Sequence, residues 1–187
     1  MARFIYGSAS ILLAWLLMQI AHESGHVLGA WLTGGNVAQV VLHPLAISRT
    51  DVLPNPNPMV EVWAGPIIGV LLPLAVWLSA RWMLPVWAAW LRFFTGFCAI
   101  ANGCYLGYAI IEPIGDAEQL VRLGSPIWLL ALFGMTCVTA GLLTWHRLGV
   151  EFGIGPYARK IAWRDAGFVC AVLLVVVIAE VCLSSVS

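Results

Sequence analysis

His22-Glu23-Ser24-Gly25-His26 lies inside an apolar run that extends over residues 4–32. Histidines at this spacing share one face of a helix, one turn apart, and can bind a single metal ion together. Glu23, beside the first histidine, is free to act on a water that such a metal activates. Residues 4–21 carry no charged side chain, and three ionisable groups then arrive within five positions. Ionisable groups inside a membrane span are costly and rare, so by default they mark a functional site. The competing reading makes both histidines neutral packing residues and pairs Glu23 with an arginine, yet no basic residue lies within a helical turn of it.

The surrounding chain suits lipid. Of its 187 residues 61% are hydrophobic and 10% charged, with a mean hydropathy of +0.94. An ordinary soluble domain is nearer half apolar and about a quarter charged, so an all-α polytopic membrane protein is expected. A formal net charge of zero gives no support for nucleic-acid binding. The ten tryptophans suit a protein with many membrane interfaces. Cys98, Cys104, Cys137, Cys170 and Cys182 all fall in apolar segments, without zinc-knuckle or disulfide spacing, and read as small apolar side chains. Arg3 ahead of the first run could open a signal peptide, but no small-residue cleavage site follows, so the run reads as a retained span.

About 20 helical residues cross a bilayer, and five stretches qualify: residues 4–32, 60–84, 86–111, 127–145 and 166–183. No period of about 20 to 50 residues repeats, and residues 1–187 read as one membrane domain. With Met18 at mid-membrane, His22 and His26 would lie about 6 to 12 Å off the midplane, where water could reach them through a cleft. Thr33-Gly34-Gly35 ends the first helix. Residues 36–47 are rich in β-branched side chains, and 49–58 read as turn chemistry ending in Asn55-Pro56-Asn57-Pro58. A short β-hairpin dipping towards the membrane fits this stretch, with an ordinary surface loop as the alternative. A strand edge there, with Val40 and Val41, could receive an extended substrate.

Ala64, Gly65 and Gly69 would let a second helix approach closely, while Glu61 reads as a solvated group at the span's edge. Pro113 and Gly115 should break the third span. Asp116 is then left on the membrane side of the first span's C-terminal half, because two crossings separate them. A carboxylate there is a natural third ligand for a zinc ion held by two histidines, with a fourth position for water. The alternative is a solvated aspartate capping residues 117–123. His43, before Pro44, is an alternative ligand or a plain loop residue, and His146 reads as interfacial. Residues 146–165 form a basic interfacial loop with Tyr157 and Trp163, and Glu180 is expected to reach headgroups. Arg3, Arg81, Arg92, Arg147, Arg159, Lys160 and Arg164 fall on one side, Arg49 and Arg122 on the other. The positive-inside rule then predicts a multi-pass protein of the cell membrane with a cytoplasmic N-terminus.

Ala21-His22-Glu23-Ser24-Gly25-His26 resembles the zinc motif of the site-2 proteases, intramembrane metalloproteases in which a glycine commonly precedes the second histidine. Ala64-Gly65-Pro66 resembles a motif of that family's second core helix, and Gly115-Asp116 its aspartate motif near the end of the third. The similarity covers roughly residues 10–120. It implies a three-helix metalloprotease-like core over 1–125, followed by two additional helices over 126–187. The family usually shows Asn-x-x-Pro followed by Leu-Asp-Gly; here Asn102 lacks the proline, glycine precedes Asp116, and Gly69 stands where asparagine is frequent. By this resemblance Asn102 would bind substrate, and His22, His26 and Asp116 would hold Zn²⁺.

The implied reaction is peptide-bond hydrolysis, with Glu23 taking a proton from the attacking water and returning it to the leaving amine. Substrates would be membrane-spanning proteins or membrane peptides, locally unwound before attack. With no soluble module in the chain, a membrane partner protein could help to select them. Two other classes stay open: a catalytically inactive membrane scaffold of the same fold, which would commonly have lost Glu23, and a metal or proton transporter, which would need polar groups spread across the bilayer. An assembly factor with packed histidines would bind no stoichiometric zinc.

Overall fold

The computed structural model describes residues 1–184, so residues 185–187 of the expected domain lie outside it. In chain order the elements are α1 (Ala2–Leu32), β1 (Val37–Val41), β2 (Arg49–Val52), α2 (Pro58–Met83), α3 (Pro85–Gly107), α4 (Asp116–Arg122), α5 (Ile127–Trp145) and α6 (Trp163–Ser184), with 3-10 turns at Tyr108–Ile110 and Leu148–Phe152. Five helices, all but α4, are long and apolar enough to cross a membrane. Their outer faces remain apolar: Leu132, Met135 and Leu142 of α5 and Leu174, Val175 and Ile178 of α6 are exposed. Apolar surface on this scale marks contact with lipid rather than water.

Because lipid is as apolar as the side chains, helix association here depends on close fit. The seam between α1 and α2 is tight. A Cβ on Gly25 would stand 2.3 Å from the Ala64 carbonyl oxygen, and one on Gly29 would stand 2.7 Å from Ala64 Cβ. The α3–α5 seam is built alike, since a Cβ on Gly134 would lie 2.7 Å from Gly107 Cα. Arg92 of α3 ties the end of α5, donating from Nε to the Thr144 carbonyl at 2.7 Å and from a terminal nitrogen to that of His146 at 2.8 Å. A cation on the last carbonyls of a helix satisfies acceptors that the helix leaves open.

Helix α6 lies along α1, burying Ala9 and Leu13 against Val169, with Leu173 and Val176 packed beside them. Glu180 continues that stripe at helical spacing and is 3% exposed, so it does not reach headgroups as expected. Helix α4 is seated by Ala117 and Leu120, fully buried with Val62, Leu106, Ala109 and Leu130. This cluster draws on α2, α5 and the end of α3, and it holds the start of α4 against the bundle.

The hairpin extends beyond its expected limits. β1 pairs antiparallel with β2, Val40 opposite Thr50 and Val41 opposite Arg49, so Arg49–Val52 is strand where turn chemistry was expected. Thr50 and Val52 are β-branched and suit extended backbone; the proline-rich turn begins only at Pro54.

A Gly25→Ala variant is expected to lose about 1–3 kcal/mol of stability through overpacking. Gly7→Ala, where nothing lies within 4 Å of the added Cβ, should lose none. Thermal unfolding of both variants in detergent checks the contrast.

Candidate metal centre

The buried face of α1 presents His22 and His26, with ring centroids 4.9 Å apart. Asp116, first residue of α4, arrives from the other side because Gly115 turns the chain at φ +55°. Its backbone N–H donates to the Tyr105 hydroxyl at 2.9 Å. A Cβ on Gly115 would sit 2.1 Å from that same hydroxyl, so both conformation and space demand glycine there.

His22 Nε2 lies 2.9 Å from Asp116 Oδ2, His26 Nε2 lies 3.4 Å from it, and the two Nε2 atoms are 3.1 Å apart. The opposite ring nitrogens are committed elsewhere. His22 Nδ1 donates to Asn102 Oδ1 at 2.7 Å, and Asn102 Nδ2 donates to the Cys98 carbonyl at 2.9 Å, which fixes the amide's orientation. His26 Nδ1 donates to Glu61 Oε1 at 2.8 Å and to the Glu61 carbonyl at 3.1 Å. With a proton on each Nδ1, both neutral rings aim an Nε2 lone pair at Asp116. Ligands about 2.0–2.1 Å from a tetrahedral ion are about 3.3 Å apart, close to the three separations found. His22, His26 and Asp116 thus form a cluster able to hold a metal ion.

Charge favours a cation as well. Glu23 and Glu61 are 3% and 5% exposed, and the Asp116 side chain is 15% exposed. Arg49, on the cavity wall, is already paired with Asp51 at 3.2 Å. Anions removed from water need a counter-charge. Burial alone would push the Asp116 carboxyl up; where Nε2 of His22 or His26 carries a proton in place of an ion, its hydrogen bond outweighs burial and holds the group below the usual carboxylate range.

A cavity of about 810 Å³ opens onto the cluster, lined by α1, α3 and the stretch that leads into β2. Glu23 lines it, and Thr50 of β2 donates from Oγ1 to Glu23 Oε2 at 2.7 Å. Gly65 makes room for the second ring: a Cβ there would overlap the His26 ring, 2.2 Å from Nε2.

The residues expected at the site are distributed as follows. His22, Glu23, His26 and Asp116 come together around the cavity. Asn102 also lines it, but both ends of its amide are engaged, one holding His22 and the other a backbone carbonyl. Val40 and Val41 lie on β1, and the cavity wall is formed by residues 46–51 instead. His43 accepts the Leu45 N–H at 3.1 Å and stands outside the cluster. Glu61 is not the solvated edge group expected from the sequence, since it is buried against His26. Sequence reading reaches neither Glu61 nor Thr50 as a site residue. For Glu61 one signal was present: it precedes Gly65 by four residues and therefore shares its helix face.

Comparison of the chain with protein-family models, with curated proteins and with solved structures finds no match.

Partners that orient a ligating histidine typically contribute about 10–100-fold in metal affinity. Glu61→Ala and Asn102→Leu are each expected to weaken divalent-ion binding by that factor. His22→Ala should remove stoichiometric binding. Metal titration of the purified variants provides the measurement.

Proposed function

We propose that this chain is an intramembrane zinc metallopeptidase that hydrolyses peptide bonds of membrane-embedded proteins or peptides. One observation carries the reading. Glu23 is a buried carboxylate beside a two-histidine, one-aspartate donor set, and an open cavity faces both. A structural metal site would be closed on all sides by protein; three ligands with an open fourth position suit catalysis. Nitrogen and carboxylate donors in near-tetrahedral separation favour zinc over magnesium or calcium, which take six or more oxygen ligands.

The chain's own groups then have distinct tasks. His22, His26 and Asp116 hold the ion, which when bound supplies Lewis acidity towards a carbonyl and lowers the pKa of water. Asn102 and Glu61 fix the two rings so that each Nε2 faces the centre. Thr50 occupies Glu23 Oε2, leaving Oε1 to take the proton of the attacking water and pass it to the leaving amine. A substrate helix satisfies its own backbone hydrogen bonds in lipid, so it must be locally extended before attack. The cavity has room for such a segment, and Trp15 of α1 and Tyr108 beyond α3, both on its wall, are half exposed at its mouth. On this reading the segment enters from the bilayer between α1 and α3. The basic residues on the N-terminal side favour a cytoplasmic N-terminus in the cell membrane.

Glu23→Gln is expected to lower cleavage at least about 100-fold, the usual contribution of a general base, while zinc content stays at wild-type level. The measurement uses chain reconstituted in vesicles with a panel of single-span membrane proteins, with products read by mass spectrometry. Cleavage unchanged by the substitution would remove the peptidase reading.

A further inference from the structure

Gln19 is the sole carboxamide of α1. It is 6% exposed and lines the cavity, and among the described residues its side chain makes no hydrogen bond. Of the two other amides on that wall, Asn102 is bonded at both ends and Gln119 is exposed. The contrast is informative, because buried polar side chains in folded proteins overwhelmingly have partners. A carboxamide can donate twice and accept twice, and leaving it idle in an apolar membrane span forfeits that capacity.

Its position narrows what could satisfy it. On a helix Gln19 lies one turn before His22 and Glu23, about 4.5–6 Å along the axis and on the same face. Trp15 and Met18, its neighbours along α1, line the same cavity, and no protein group among the described residues bonds the carboxamide. An unwound peptide entering from lipid has the complementary need. Its main-chain N–H and C=O groups have lost their helical partners and meet no bulk water. A carboxamide offers the same donor and acceptor pair as a peptide unit.

We propose that Gln19 is a substrate-binding residue that pairs through its carboxamide with the main chain of the extended segment, next to the bond to be cut. This rests on the peptidase reading and adds to it a recognition element that ignores side-chain identity. Gln19 registers the peptide main chain one turn from the ion, and unwound backbone is the feature it selects.

The test uses a leucine-rich peptidyl hydroxamate, whose hydroxamate chelates the zinc, and analogues in which the peptide N–H groups nearest the hydroxamate are replaced one at a time by ester oxygen. Binding is measured on zinc-loaded wild type, Gln19→Leu and the nearly isosteric Gln19→Met in detergent. Zinc content should be equal in all three. Loss of the pair should weaken the amide ligand about tenfold, as expected for one or two hydrogen bonds. At one position the ester should weaken binding to wild type by a similar factor, yet make no further difference in either variant. Equal binding by all three proteins, or an ester effect as large in the variants as in wild type, overturns the assignment and leaves the peptidase reading standing. A wild-type chain that takes up no zinc, or a zinc-loaded one that ignores the hydroxamate, overturns the peptidase reading and this assignment with it.

Discussion

Two imidazole nitrogens and a carboxylate oxygen are held within 4.8 Å of one another on helices that face lipid. That crowding is the constraint on which the surrounding structure depends. Each donor carries a lone pair aimed at the others and is largely buried, so mutual repulsion must be offset by a cation or by protons. The arrangement suits a cation. Asn102 and Glu61 take the protons on the far side of the rings, and the fixed Asn102 amide leaves His22 no other orientation.

Placing the donors makes demands well away from them. His26 can reach Glu61 only if α1 and α2 nearly touch, which requires glycine at 25 and 29 on one helix and at 65 on the other. Asp116 can reach both rings only because α4 is anchored by Ala117 and Leu120 and because Gly115 bends the chain over the Tyr105 hydroxyl. The glycines of the second and third motifs therefore serve the centre by making room for rings, a hydroxyl and carbonyls that would otherwise collide with a methyl group.

What was legible in the sequence was what depends on local spacing. The hydropathy of the chain located the five spans, and α5 falls at the limits read from sequence, Ile127–Trp145. The pairing of His22 with His26 follows from one helical turn, and the side of the membrane on which Asp116 lies follows from counting crossings. Other features depend on contacts between distant segments. Glu61 looks like a surface acid until the closeness of α2 to α1 is known. Arg49 and Asp51 disguise β2 as a polar turn, because its half-buried positions, Thr50 and Val52, show only as alternation over four residues. Val40 and Val41 looked suited to a cavity wall, but hairpin pairing turns the other strand towards it. No sequence pattern tells whether the amides of Gln19 and Asn102 find partners.

His22 and Asp116 stand 94 residues apart in the chain, and this separation bears on biogenesis. At about 5–20 residues per second, translation needs about 5–20 s to make the aspartate after the first histidine. During that interval the two imidazoles of α1 are without the Asp116 carboxylate. On the proposed reading, the complete ligand set exists only once the third crossing has been threaded. On that reading the ion is delivered to a chain already in its membrane, not to one leaving the ribosome.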